Sequence, residues 1–245
     1  GLTDLIGSGS GRFRYNSDEA ATNYSLALGT GLFGIYRQQP TVDVTVDNQS
    51  MTYGDALPTW TYSLTGNVNG DSVSQIFAAP DVSVTGPTST SGNFTATDHS
   101  ASAAGMGTSQ LGYAVGTLTS GTLTVNQRQI TSTLTAGGKV YDGTTATTVS
   151  ATPIGLILGD VISIDGTATF VDKNVGTDKT VNISGLSISG VDAGNYSLAN
   201  ISGTSTADIT PRPVTVTGLA AVDKIYDGTT VAAVDHSGVT FNGMI

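Results

Sequence analysis

Along much of the chain, apolar residues alternate with polar ones. TVDVTV (41–46), VTVTG (214–218) and TLTVNQRQITSTLT (122–135) set a hydrophobic side chain at every second position among Thr, Asp and Gln. A strand with one buried face has this period of two. Turn-forming breaks interrupt the pattern at GNVNGD (66–71), LGD (158–160) and DAGN (192–195). Only GLAAVDK (218–224) hints at a helix, and a segment that short does not hold a helix by itself. The pattern predicts an all-β fold of tandem small β-sandwich-like modules in an elongated array, with a β-grasp-like module as the variant.

The same phrases return in the same order. KVYDGTT (139–145) recurs as KIYDGTT (224–230), 85 residues later, and MTYGDALP (51–58) is a looser relative with Gly and Asp exchanged. An arginine opens the strand before each copy: Arg37, Arg128 and Arg212, spaced by 91 and 84 residues. NYSLA occurs at 23–27 and 195–199, with LGYAVG (111–116) as an echo. Repetition at this period marks an array of like modules. The expected organisation is a junction or cap at 1–36, ending a preceding β-helix-like region, then modules at 37–127 and 128–211, and the truncated start of another at 212–245.

Composition narrows the function. Nineteen acidic residues face nine basic ones, a net charge of −10, and Glu19 is the one glutamate. With only four lysines, helix-forming charged residues are scarce. No basic stripe is present to replace phosphate counterions, which argues against nucleic acid. No apolar run approaches the roughly 20 residues of a membrane-spanning helix, so no membrane insertion is expected. The N-terminal GLTDLIGSGS shows no signal peptide. Cysteine is absent, which removes disulfides and thiolate chemistry.

Within KVYDGTT, Val140 faces one side of a strand while Lys139 and Tyr141 face the other. Asp142–Gly143 forms a turn, and Thr144–Thr145 restart an extended segment. Tyr141, Asp142 and Gly143, with Tyr226, Asp227 and Gly228 in the second copy, are therefore a structural motif. The Tyr ring is expected at the edge of the core. The functional alternative makes Asp142 and Asp227 calcium ligands; no other cofactor is expected.

Asp-His-Ser occurs at 98–100 and 235–237. Neighbours on a strand point to opposite faces, so a contiguous D-H-S cannot act as a catalytic relay. The two copies also follow their Tyr phrases by 45 and 9 residues, so they are not equivalent. No sequence signature of catalysis is present, and no enzyme activity is expected. Trp60, Tyr53 and Tyr62 form the best candidate for a glycan-binding face, with Trp60 and Tyr62 expected on one strand face; the competing reading makes Trp60 the core anchor of its module.

YDGTT followed by DAGNYSL (192–198) and an ITPR exit (209–212) resembles the YDG-type repeats of large bacterial exoproteins. TYGDALPTWTYSLTGNVNGDSV (52–73) is similar to the YGX-type modules called MBG domains. Both stand in filamentous-haemagglutinin-like adhesins exported by two-partner secretion, and RFRYNSDEAATNYS…IYR (12–37) looks like their junction after a β-helix. The resemblance implies a non-catalytic stalk and adhesive region, secreted or displayed on a bacterial surface and supporting adhesion and biofilm contact. The implied partners are an extracellular glycan, exopolysaccharide or host receptor, and an outer-membrane secretion partner. The alternatives are a carbohydrate-binding module and a calcium-rigidified spacer.

Overall fold

The structure, a computed structural model, describes residues 1–18, 22–77 and 81–245. Glu19 and the first residues of AATNYS lie outside these. Contacts divide the chain into two compact units. The first is 1–128 with 157–161 and 191–197; the second is 129–156, 162–190 and 198–245.

The first unit opens with a one-turn helix α1 (Leu2–Ile6) and two short parallel strands, β1 (Phe13–Arg14) and β2 (Gly34–Ile35). β3 (Thr41–Val46), β4 (Gln49–Thr52), β5 (Tyr62–Thr65), a turn of helix α2 (Val73–Ile76), β6 (Asp81–Thr85), β7 (Asp98–Gly105), β8 (Ala114–Thr119) and β9 (Gly121–Asn126) follow. They form a three-stranded sheet in the order β5-β3-β8 and a four-stranded sheet in the order β4-β9-β7-β6. β3 runs antiparallel to β5 and parallel to β8. β9 runs parallel to β4 and antiparallel to β7.

The period-two pattern becomes burial directly. Val42, Val44 and Val46 point inward from β3, as do Leu123 and Val125 from β9, while the Thr, Asp and Asn residues between them are more exposed. Phe13, Tyr15, Val42, Val44, Ile76, Phe77, Met106, Leu111 and Tyr113 form one core cluster. The opening segment thus shares the core of the module that follows it. Gly112 makes the close approach possible: its φ is 92°, and a Cβ there would stand 2.2 Å from the Tyr15 carbonyl oxygen.

The remaining strands are β10 (Arg128–Ala136), β11 (Lys139–Val140), β12 (Ala146–Thr147), β13 (Val149–Ile154), β14 (Ser163–Phe170), β15 (Gly176–Ser189), β16 (Tyr196–Leu198) and β17 (Gly203–Thr210). Their sheets run β13-β10-β16 and β11-β17-β15-β14-β12. This is the topology of the preceding module. The first strand centres a three-stranded sheet, and the last strand lies between a short parallel strand (β4 or β11) and a hairpin (β7–β6 or β15–β14). The second unit buries Ile130, Ile164, Phe170, Val181, Ile183, Leu186 and Ile209. All-β modules are what the alternation predicts.

Residues 212–245 pair as β18 (Thr215–Thr217) with β21 (Thr240–Asn242), and β19 (Ala220–Ala221) with β20 (Val234–Asp235). None of these residues is buried. The helical hint at GLAAVDK is corrected here: its alanines form β19, which registers against Asp235 and Val234. The two NYSLA copies also part company. Tyr196–Leu198 is a strand with Tyr196 buried, whereas Tyr24 lies outside any strand, its ring 5.5 Å from the Arg14 guanidinium.

Leu123 is fully buried on β9, between the neighbours β4 and β7. Leu123→Ala is expected to destabilise the protein by about 3 kcal/mol through lost burial and a residual cavity. Leu57→Ala, at a half-exposed position, should cost within about 0.5 kcal/mol. Urea-unfolding midpoints of the two variants check the contrast.

Candidate functional site

Three aspartates of the first unit are buried, Asp71, Asp160 and Asp192, and two of them repeat one arrangement with tyrosines. Asp71 closes a turn in which its own N–H donates to the Val68 carbonyl oxygen at 3.1 Å. Asp71 Oδ2 accepts from the Tyr15 hydroxyl at 2.8 Å and the Tyr113 hydroxyl at 2.9 Å. The two rings meet edge-on with centroids 4.7 Å apart. The Val68 N–H donates to the Tyr113 hydroxyl at 3.1 Å, and Asn69 Nδ2 to the Tyr15 hydroxyl at 2.8 Å.

The arrangement repeats at Asp160. Its N–H reaches Ile157 O at 3.2 Å, closing a turn of the same length. Asp160 Oδ2 accepts from Tyr53 at 2.5 Å and from Tyr196. These rings are also edge-on, 5.3 Å apart, and the Ile157 N–H donates to the Tyr196 hydroxyl at 3.1 Å. In each node the first tyrosine precedes β3 or follows β4, the aspartate sits after a Gly at positive φ (Gly70 or Gly159), and the second tyrosine comes from the closing phrase. The 86–97 segment adds further bonds. Ser91 N–H reaches Asp160 Oδ1 at 3.2 Å, Thr90 binds Asp192 through both its N–H and its hydroxyl, and the Ala96 N–H donates to Asn195 Oδ1 at 2.8 Å.

The nodes differ electrostatically. Burial works to raise the Asp160 carboxyl, but the bonds from Ser91, Tyr196 and Tyr53 outweigh it and hold the pKa below the ordinary 3.8. Asp71 goes the other way: burial dominates the bonds from Tyr15 and Tyr113 and the charge of Arg14, so its pKa is raised. Its Oδ1 is buried without a partner among the described residues, where Asp160 Oδ1 has Ser91. Burial also pushes the Tyr113 phenol up to about 12 and raises Tyr15, Tyr53 and Tyr196. The phenols therefore stay protonated near neutrality and act as donors. Asp160, with both carboxylate oxygens accepting, fixes separate chain segments against each other, whereas Asp71 accepts through Oδ2 and also lines an open depression beside Tyr62.

The repeated YDGTT phrase has its own chemistry, which centres on the lysine before it. Lys139 Nζ donates to Thr144 O and Thr144 Oγ1 at 2.9 Å and to Ala146 O at 2.8 Å, and pairs with Asp142 Oδ1 at 2.8 Å. Lys224 repeats the set with Thr229 O, Thr229 Oγ1 and Val231 O at 2.8 Å and Asp227 Oδ1 at 2.7 Å. Asp142 Oδ1 also accepts from the Thr144 N–H, and the carboxyl is brought down to about 2, first by Lys139 and then by Thr144. The cation seated at both candidate calcium positions is thus an ammonium group. Gly143 and Gly228 take the positive φ of the turn. Tyr141 is half-buried, whereas Tyr226 is 92% exposed.

The candidate glycan residues are not brought together as one face. Tyr53 is fully buried in the Asp160 node. Trp60 lies ahead of β5 rather than on it, after Pro58, and is half-buried and absent from the core cluster. The expectation that it shares a strand face with Tyr62, and the competing reading of it as core anchor, are both corrected. Tyr62 lies on β5 and lines an open depression of about 680 Å³ together with Asn67, Ser72 and Ser74. In the first Asp-His-Ser, His99 is buried with Nε2 2.8 Å from Thr95 O, while Asp98 accepts from Thr124 on the exposed face. His236 is exposed.

Asp71 and Asp160 escaped the sequence reading because GNVNGD and LGD look like ordinary solvent turns. The available signal was a Gly-Asp pair 18 or 19 residues after the tyrosine of each repeated phrase.

Residues 42–124 match the family model of the MBG domain (YGX type), and residues 122–206 and 210–245 match that of the YDG domain. The chain carries an MBG domain followed by YDG repeats. A comparison with curated proteins gives no match. The Asp160 node joins Tyr53 of the MBG domain to two residues within the YDG match, all three inside the first compact unit.

Asp160→Asn, which keeps the shape but removes the charge from the shared acceptor, is expected to cost about 1.5–3 kcal/mol. Tyr53→Phe should lose less, and the double variant should fall short of the sum; a urea-denaturation cycle measures this. Ionised Asp160 supports folding above pH 3.8, and that support is lost as pH falls through its lower native value. Asp71 has the opposite sign: its contribution is present below 3.8 and is lost as pH rises through its raised native value. Carboxyl-carbon NMR titration should therefore find Asp71 protonating at a higher pH than Asp160.

Lys139→Met removes the donor that closes the YDG turn. The Thr144 amide should then exchange faster with solvent, and adding Asp142→Asn should change little more, since both act in one network. Hydrogen-exchange NMR reads both outcomes.

Proposed function

We propose that the chain is a non-catalytic stalk and adhesive repeat region of a large secreted bacterial surface adhesin, serving surface display, adhesion and biofilm contact. The observation that carries this reading is the reuse of one topology, with its aspartate–tyrosine node, by domains of two family types. Both buried carboxylates of these nodes are spent on holding tyrosines, so the interior is committed to structure. Modules that each bury their own strands add length without redesign. The acidic surface and Thr-, Ser- and Asp-rich strand faces fit an extracellular setting and discourage edge-to-edge aggregation. The resemblance to filamentous-haemagglutinin-like proteins supports export through an outer-membrane partner.

A second reading, a carbohydrate-binding module, is favoured by the depression at Tyr62. It sets an aromatic ring beside Asn67, Ser72 and Ser74, the pairing of apolar face and polar groups that sugars require. The partner in either reading is an extracellular glycan, an exopolysaccharide or a host surface receptor.

Binding of the chain to a panel of bacterial exopolysaccharides and host glycans tests both, with Trp60→Ala and Tyr62→Ala alongside. Saturable binding removed by Tyr62→Ala is the expected result for a glycan module with its site in the depression. Absence of binding across the panel assigns the chain to reach alone, as a spacer.

A further inference from the structure

The first tyrosine of the Asp160 node hangs from a particular piece of backbone, and the YDG domain contains the same piece. Tyr53 directly follows β4, which pairs in parallel with β9; its N–H donates to Asn126 O at 2.8 Å, at the end of that closing strand. Tyr141 directly follows β11, which pairs in parallel with β17, and its N–H donates to Thr210 O at 2.9 Å. Two residues past each carbonyl stands the arginine that opens the next module, Arg128 or Arg212. Arg128 reaches back to Tyr53 O at 3.4 Å. Tyr141 therefore occupies, in its own domain, the position that Tyr53 occupies in the MBG domain.

The surroundings of the two tyrosines differ. The Tyr53 hydroxyl binds Asp160 and lies 2.6 Å from Ser89 Oγ. The Tyr141 hydroxyl has no hydrogen-bond partner among the described residues, and the ring is half-buried. Apolar side chains are exposed at the same end of the five-stranded sheet. Val140 is 50% exposed, and the β14–β15 loop contributes Val171 at 57% and Val175 at 49%. Register places them together: Phe170 N–H donates to Thr145 O, while Lys139 and Gly176 both pair with Ile209. This loop is the counterpart, in the shared topology, of the β6–β7 segment that donates to Asp160, Asp192 and Asn195. No Gly-Asp turn follows Tyr226 in the sequence.

We propose that Tyr141, with Val140, Val171 and Val175, is the seat for the Gly-Asp turn and closing tyrosine of a YDG domain continuing from Arg212. The aspartate of that domain accepts the Tyr141 hydroxyl, its closing tyrosine packs edge-on against the Tyr141 ring, and the valines are covered. The turns diverge only after the tyrosine: Gly54 takes the positive φ at 81°, whereas in KVYDG it falls one residue later, at Gly143, 80°. The Lys139–Asp142 clamp then holds the YDG turn in shape. The inference goes beyond the reading of the chain as an adhesin stalk and holds whether or not the modules bind a glycan.

The test is tyrosine nitration by tetranitromethane, mapped by peptide mass spectrometry. The unaltered chain is compared with two extended chains. In one, residues 212–245 are replaced by a second copy of 128–211; in the other, residues 231–245 are replaced by a copy of 146–211. Slow exchange of the added hairpin amides shows that the added domain has folded. The expected result is that Tyr141 reacts in the unaltered chain and loses that reactivity in an extended chain, while Asn in place of the copied Asp160 restores it. Tyr226, retained in the second extension, stays reactive. Tyr141 reacting equally beside a folded added domain overturns the proposal, as does protection that survives the Asn substitution.

Discussion

A carboxylate buried among apolar strands is tolerable only if its charge is met by donors. Asp160 meets the condition with two phenols and the Ser91 amide, supplied by three separate stretches of chain. None of those stretches can withdraw without leaving the charge bare. That requirement fixes the positions of the Gly-Asp turn, the closing tyrosine strand and the tyrosine after β4 at once. Hydrophobic alternation alone would fix each sheet but would leave the ends of the sheets without polar register. Asp71 applies the same constraint to the opening segment, which is why Tyr15 enters the core of a module whose strands begin only at Thr41.

The two nodes are not equally well satisfied, and the difference has a structural origin. Ser91 comes from the loop between β6 and β7, which reaches the Asp160 turn with its backbone N–H groups forward. At Asp71 the neighbouring backbone comes from the Ser8–Gly9 turn, which bonds Asn69 O rather than the carboxylate. Asp71 Oδ1 is left without a donor among the described residues, and the pKa directions of the two aspartates separate accordingly. A repeated architecture therefore carries different electrostatics at successive positions, depending on what the preceding segment offers.

Much of the fold was legible in the sequence because the strands have one buried face, and period two survives wherever that is true. TVDVTV reads as a strand and is one, with the three valines inward. Phrases were less reliable than periods. Tyr196–Leu198 of the second NYSLA form a strand whose tyrosine binds Asp160, whereas at 23–27 the same letters lie against Arg14 and form no strand. Trp60 differs because β5 begins only at Tyr62, which leaves the tryptophan ahead of the strand and outside the core cluster. The nodes were hidden because a buried aspartate and a solvated turn aspartate are spelled alike; only the distance to the preceding tyrosine separates Asp71 and Asp160 from Asp142.

The KxYDGTT phrase shows how a local device and a long-range one share seven residues. Lys139 and Lys224 make the same four contacts, although the residues around Lys224 bury nothing while those around Lys139 belong to a packed unit. The lysine clamp is thus set by the phrase itself, through an ammonium placed to satisfy carbonyls that the turn would otherwise leave facing inward. The tyrosine is the opposite case. Its backbone is anchored to the end of the closing strand, and at Tyr53 the hydroxyl meets Ser89 of its own module and Asp160, 107 positions away. At Tyr53 that distant partner is reinforced by the bonds of Thr90, Ser91 and Ala96 to Asp192, Asp160 and Asn195, so the local turn and the long-range node are held by separate sets of contacts.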